Sequence, residues 1–261
     1  MKQYIADAFA EELFTGNPAA VVPCRAMPSP EIMQKIAVEN AYSETAFMVK
    51  TGRGTYDLKW FTPGGEIDLC GHAILAAAFV LHTYEDPGVE EMHFRTLSGE
   101  LTVTKGERGF TMSFPTGKIK PIPLTDAIMR ASGGLAREAY YDGGDMVIIV
   151  EDEEKLRQYV PQADLILKMD GLGMILTAPS NQYDFVSRCF YPKLNILEDP
   201  VTGRAHTYSG PLWSERLKKE VLIAKQISPR GGVVTVRPAG DRVYLSGNVQ
   251  LFMQGELPFD L

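Results

Sequence analysis

An internal repeat constrains this fold more than any other feature of the chain. Ser43-Glu44-Thr45-Ala46-Phe47 is followed 132 positions later by Ile175-Leu176-Thr177-Ala178-Pro179. Tyr56–Pro63 returns as Phe185–Pro192 at an offset of 129. Gly71 returns as Gly203 after 132 positions, and Gly99-Glu100-Leu101-Thr102-Val103 as Gly232-Val233-Val234-Thr235-Val236 after 133. The turn Gly16-Asn17-Pro18 before Ala19–Val22 is matched by Gly143-Gly144-Asp145 before Met146–Val150. Matches in order at a near-constant offset point to a duplicated unit. The 261 residues then form two halves of about 130 residues, each long enough for a core of its own. The boundary falls in the Pro- and Lys-rich stretch Pro115–Pro123, giving halves 1–117 and 118–261.

Each half is rich in strand signals and has one central helix. In the first, Ser29-Pro30-Glu31 starts a helix with a capping hydroxyl, a proline at the first helical position and an acid near the positive dipole end. Asp68-Leu69-Cys70-Gly71-His72-Ala73 is a polar turn that opens an apolar helix running to Tyr84. Ile74, Leu75, three alanines, Phe79, Val80 and Leu81 cover it nearly all round, so it is expected to be buried on most faces. Met92–Thr96, Gly99–Lys105 and Gly109–Phe114 alternate as a meander. In the second half, Asp199-Pro200-Val201-Thr202-Gly203-Arg204-Ala205-His206 is the twin turn, and Gly203–Lys219 the twin helix. Pro211 inside it predicts a kink or break.

Composition narrows the function. A net charge of −7 argues against a bulk nucleic-acid binder, which presents a basic face. Cys24, Cys70 and Cys189 are few, scattered and odd in number, which fits a reducing compartment better than a disulfide framework. The start lacks a signal-peptide profile, and Ala73–Leu81 is too short to span a bilayer. A cytoplasmic protein without membrane association is expected. No cysteine pair has zinc-ligand spacing, and the four histidines supply no metalloprotease pattern. Neither metal nor cofactor is expected.

The repeat is most informative where its copies differ. One keeps Glu44, the other has Leu176. A carboxyl partly buried at a strand mouth would be raised in pKa and trade protons near neutral pH; alternatively Glu44 is a solvated loop residue. Gly71-His72-Ala73 and Gly203-Arg204-Ala205 offer first-turn amides that bind anions, or are ordinary helix starts. His72 at a helix start would be lowered by the dipole. Asp199 caps its turn or serves as a second acid/base. Cys70 is a nucleophile or base only if its helix end favours the thiolate. Gln226 and Arg230 sit in a loop before a strand, and Arg230 either binds an anion or lies in solvent.

Jointly, Ser43–Phe47, Phe61-Thr62-Pro63 with Glu66–Ala73, and Glu198-Asp199-Pro200-Val201-Thr202-Gly203 resemble the signature motifs of the PhzF-like isomerases of phenazine biosynthesis, relatives of diaminopimelate epimerase and proline racemase. The resemblance covers nearly the whole chain in order. It implies an α/β (α+β) fold of two pseudo-symmetric halves, each a curved mixed β-sheet around a central helix, with the active site in a cleft between them. It further implies a cofactor-independent isomerase of a biosynthetic process, with Glu44 as acid/base. His72 and Asp199 would assist proton movement, and the helix ends around Cys70, Gly71, Ala73, Gly203, Arg204 and Ala205 would bind substrate. A small carboxylated metabolite is the expected partner, and a homodimer is plausible because half-sheets expose edge strands. A one-face proton shift needs one strong acid/base, which fits Glu44 against Leu176. The alternatives are a lyase or dehydratase on the same fold and a non-catalytic ligand-binding member. One departure stands out: the family motif usually continues Gly-Ser-Ala-His-Cys, whereas this chain has Gly203-Arg204-Ala205-His206-Thr207. Pointing inward, Arg204 would fork onto a carboxylate or fill the pocket; pointing outward, it is a solvated charge.

Overall fold

The computed structural model describes residues 1–259. Two compact units emerge: Met1–Ser113 joined by the described residues from Ser246 onward, and Phe114–Leu245. Each is considered by itself.

In the first unit the elements are β1 (Lys2–Ala8), β2 (Asn17–Cys24), α1 (Pro30–Asn40), β3 (Thr45–Gly52), β4 (Thr55–Thr62), β5 (Gly65–Ile67), α2 (Gly71–Val80), β6 (Glu91–Thr96), β7 (Gly99–Gly106) and β8 (Gly109–Pro115, which crosses into the second unit). α1 starts as expected, with Ser29 Oγ accepting from the Ile32 amide and Pro30 at the first turn. It ends at Ala41 in the left-handed region, φ 53°. That leaves only Tyr42, Ser43 and Glu44 before β3. β2 and β3 run parallel across this helical crossover, as do β4 and β6 across α2; the remaining pairs are antiparallel. α2 is buried from His72 to Ala78. Its four alanines let it lie against β1, β2, β3 and β7 at once, so the mixed sheet curves around it. The α-helix is shorter than the sequence suggests: Leu81–Glu85 widens into a π-helical turn, with the Asp86 amide donating to the Leu81 carbonyl.

The second unit contains β9 (Lys120–Ile122), α3 (Asp126–Ala131), β10 (Ala136–Tyr141), β11 (Asp145–Val150), α4 (Glu153–Gln158), α5 (Ala163–Ile166), β12 (Gly173–Pro179), β13 (Phe185–Tyr191), β14 (Ile196–Asp199), α6 (Gly203–Leu217), β15 (Leu222–Gln226), β16 (Gly232–Ala239) and β17 (Arg242–Gly247, whose last residues belong to the first unit). The connectivity repeats that of the first unit. β11 and β12 are parallel like β2 and β3, and β13 and β15 are parallel like β4 and β6. α6 packs on β11 and β16.

Two expectations change. Pro211 neither breaks nor ends α6, which runs continuously from Gly203 to Leu217. A proline there strands the carbonyl four residues earlier, that of Thr207. The Gly117 amide takes it up, at 3.2 Å. Gly117 comes so close that a Cβ would stand 2.0 Å from the Tyr208 ring, so only glycine makes this repair. The chain end also differs from the halves read in sequence. β18 (Val249–Glu256) returns to the first unit, where β1 lies antiparallel between it and β2.

Candidate active site

Glu44 is fixed by its backbone. Its carbonyl accepts from the Ala20 amide at 3.1 Å, one rung before the β2–β3 ladder. Cys70 is the N-cap residue of α2, extended at φ −141°, and the helix has no side-chain cap. His72 is therefore the second helical residue and sits beside the open first turn.

The structure brings Glu44, Cys70 and His72 together in the first unit. His72 Nε2 lies 2.9 Å from Glu44 Oε2, with side chains only 9% and 13% exposed. The contact is an ion-pair approach, and Oε2 is buried with no hydrogen bond. Cys70 Sγ is 3.5 Å from His72 Nδ1 and 4.0 Å from Nε2. Ser43 Oγ stands 3.5 Å from Nε2.

Two protonation states come out opposite to expectation. Burial pushes the Glu44 carboxyl up, but His72, Ser43 and Cys70 outweigh it and hold the group below the ordinary carboxylate value. Burial favours the neutral His72 ring, yet Cys70 and Glu44 raise it well above ordinary imidazole. The Cys70 thiol is raised by burial and by Glu44. A neutral thiol offers little charge, so Glu44 is the partner that keeps the ring protonated. The result is a buried carboxylate–imidazolium pair. A carboxylate at van der Waals range outweighs the partial charge of a helix dipole, which is why the dipole argument misjudged His72.

The second unit assembles its own set around the start of α6. Asp199 Oδ2 accepts a short hydrogen bond from Thr202 Oγ1, so its carboxylate holds the turn. Gln226 is fully buried. Its Nε2 donates to the Asp199 carbonyl at 2.7 Å and to Thr202 Oγ1 at 3.2 Å, and its Oε1 accepts from the Thr202 amide at 2.9 Å. Gln226 thus belongs to the end of β15 and braces the turn instead of sitting in a loop. Gly203 and Ala205 are buried in the first turn of α6, which also lacks a side-chain cap. His206 donates Nδ1–H to the Thr202 carbonyl at 2.8 Å, and burial lowers its pKa to about 4, so it is a neutral core residue.

Arg204 is neither a free surface charge nor an idle one. Its Nε donates to Asp145 Oδ2 at 2.8 Å; the arginine is half exposed and the aspartate fully buried. Burial raises the Asp145 carboxyl, and Arg204 offsets only part of that. Both units therefore join the second residue of a central helix to a carboxylate at the leading end of a parallel strand pair: His72 with Glu44, Arg204 with Asp145. Ile175 and Leu176 are fully buried in β12 and leave no carboxylate where the repeat aligns them with Ser43 and Glu44. Sequence alone does not single out Asp145 or Ser43 as site residues, and it places Gln226 only in a loop. An acid opening the apolar run Asp145–Val150 was the available signal for the first. A cavity of about 710 Å³ in the first unit is lined by Met1, Cys24, Glu85 and Phe259 among others and contains none of these groups.

The profile of a family described as phenazine biosynthesis-like protein matches residues 6–255. An uncharacterized isomerase of Pseudomonas aeruginosa is 42% identical, with 96% of each chain covered. A phenazine biosynthesis-like domain-containing protein of Homo sapiens is 34% identical over 97% of this chain and 98% of its own. A PhzF-family crystal structure from Enterococcus faecalis superposes with a TM-score of 0.95 at 45% identity, covering 99% of both chains. A hydroxyproline epimerase from Agrobacterium vitis shares the fold alone, with a TM-score of 0.61 at 12% identity, covering 98% of this chain and 91% of its own. No helix among the described residues is long and apolar enough to cross a membrane. With motifs, topology and relatives in agreement, the chain belongs to the phenazine biosynthesis-like protein family, as an isomerase on an epimerase-like α/β fold.

Proposed function

We propose that this isomerase moves a proton on carbon of a small carboxylated metabolite, with Glu44 as the acid/base. The observation that carries the reading is the buried Glu44–His72 contact of 2.9 Å around a carboxylate oxygen with no hydrogen bond of its own. Glu44 enters as the carboxylate, so no proton must leave before it acts. Its lowered pKa costs basicity, so the carbon acid has to be activated. The uncapped first-turn amides of Gly71, His72 and Ala73 supply that activation by stabilising negative charge on the substrate carboxylate or carbonyl. The imidazolium of His72 returns a proton or steadies Glu44 between the two transfers. In the second unit the amides of Gly203, Arg204 and Ala205 offer a second anion-binding turn, held in shape by Asp199. A lyase or dehydratase would begin with the same abstraction.

The competing reading, a ligand-binding member without chemistry, draws on Arg204, whose guanidinium is bound to a buried acid where the family carries a serine. A panel of small carboxylated metabolites incubated with the protein in D2O separates the two. Carbon-bound deuterium seen by NMR supports the isomerase. A raised melting temperature with no exchange for any member supports binding alone. Arg204→Ser is expected to change which metabolites are accepted; an unchanged ranking removes Arg204 from substrate recognition.

A further inference from the structure

Beyond proton transfer, we propose that Glu44, Cys70 and His72 form an inhibitory binding site for a thiophilic divalent cation, zinc foremost. Among the described residues this is the one group of three His, Cys, Asp or Glu side chains whose donor atoms lie within 4.8 Å of one another. The donors are a carboxylate oxygen, a thiol sulfur and an imidazole nitrogen. Zinc accepts this mixture, with bonds of about 2.0–2.3 Å that set tetrahedral donors roughly 3.3–3.6 Å apart. Around His72 Nε2 the spacings are 2.9 Å to Glu44 Oε2 and 4.0 Å to Cys70 Sγ. They straddle that range, so side-chain adjustments of about half an ångström complete the geometry. A second observation points the same way. Glu44 Oε2 is buried and has no hydrogen bond; its charge partner is the His72 ring at 2.9 Å, whose departing proton the metal ion would replace.

Three protein ligands leave the fourth position to water or an anion. On binding, metal–oxygen, metal–sulfur and metal–nitrogen bonds form. The thiol and imidazolium protons leave to solvent, two per ion, and nothing is oxidised or reduced. A buried cluster of no net charge thus acquires a bound dication whose ligands include the proposed base. Ion and substrate cannot use Glu44 together. The binding site stands without the catalytic reading; only the inhibitory effect rests on it.

Calorimetric titration of the full metal-free chain with Zn2+, paired with absorption titration by Co2+, tests the site. One ion per chain is expected, with a sulfur-to-cobalt charge-transfer band in the near ultraviolet. Cys70→Ser should remove the band and weaken Zn2+ at least tenfold, and His72→Gln should weaken it similarly. Cys24→Ala, which removes the partly exposed thiol elsewhere in the unit, should change neither. Binding that survives both cluster variants, binding that follows Cys24, or no binding at micromolar Zn2+ overturns the proposal. Should the Cys70 variant misfold, zinc X-ray absorption of the wild-type complex decides. One sulfur and one imidazole in the shell supports the site, and a shell of oxygens alone overturns it. With an exchanging substrate in hand, one equivalent of Zn2+ should abolish deuterium incorporation. Exchange that persists at saturating metal overturns the inhibitory role while leaving the site in place.

Discussion

At the residue scale the account turns on one ion pair. Glu44 is held below and His72 above their ordinary values, so each stabilises the fold in its charged form. The raised imidazole contributes fully below about pH 6.5 and loses its contribution as pH climbs through its folded value. The lowered carboxylate contributes above about pH 4.5 and loses its contribution as pH falls through its own. Glu44→Gln should therefore destabilise most in the window between those two limits, and the deficit should shrink on both sides. The expected loss is about 1–3 kcal/mol, less than the 3–5 kcal/mol of stranding a permanent buried charge, because His72 can shed its proton. Urea melts across pH measure it; a deficit that is flat with pH contradicts the pair. His72→Gln removes the largest influence opposing burial at Glu44, so the acid limb of activity should move to higher pH. Asp145 follows the opposite rule. Burial raises its carboxyl, so removing Arg204 should destabilise increasingly as pH rises above the ordinary carboxylate range. A destabilisation that fades with rising pH would show that Asp145 does not need its partner.

At the element scale α6 shows what a local rule leaves out. A proline in mid-helix predicts a break, and the rule is sound for an isolated helix. The Thr207 carbonyl finds its donor ninety residues away in sequence, at Gly117, which no window around Pro211 contains. Gly117→Ala places a methyl 2.0 Å from the Tyr208 ring and should destabilise by about 1–3 kcal/mol. Pro211→Ala supplies an amide to a carbonyl already satisfied and should change stability by under about 1 kcal/mol. Thermal melts of the two variants check the pair, and equal losses would contradict this description of the helix. The same reasoning separates what was legible in the sequence. The resemblance to the PhzF-like motifs implies that Glu44, Cys70 and His72 share a site, and the structure brings them together. Their protonation states were not legible, because these depend on one contact between a strand mouth and a helix start. Asp145 escaped notice because its partner is fifty-nine positions away and its own surroundings read only as an apolar strand.

At the scale of the whole molecule the repeat carried the fold. Parallel pairs β2–β3 and β11–β12, and β4–β6 and β13–β15, recur with a helix between each. The tail was not legible, because Val249–Glu256 reads as one more strand of whichever half precedes it. Its pairing with β1 is a long-range choice that leaves no local trace. Ending the chain at Leu245 should therefore disturb the first unit, exposing the β1 edge and lowering its unfolding transition. Hydrogen exchange on β1 amides reports this, and unchanged protection contradicts the pairing.

The same duplication underlies the functional asymmetry: one unit has an ionisable pair, Glu44 with His72, and the other a pair locked by an arginine that stays charged at all working pH. The most direct test is the rate of deuterium incorporation into an exchanging carboxylated substrate by wild type and by Glu44→Gln, with folding of both confirmed. The account predicts a loss of about 10²–10⁴-fold in the variant. Exchange by Glu44→Gln at the wild-type rate would contradict it and assign the proton transfer to another group.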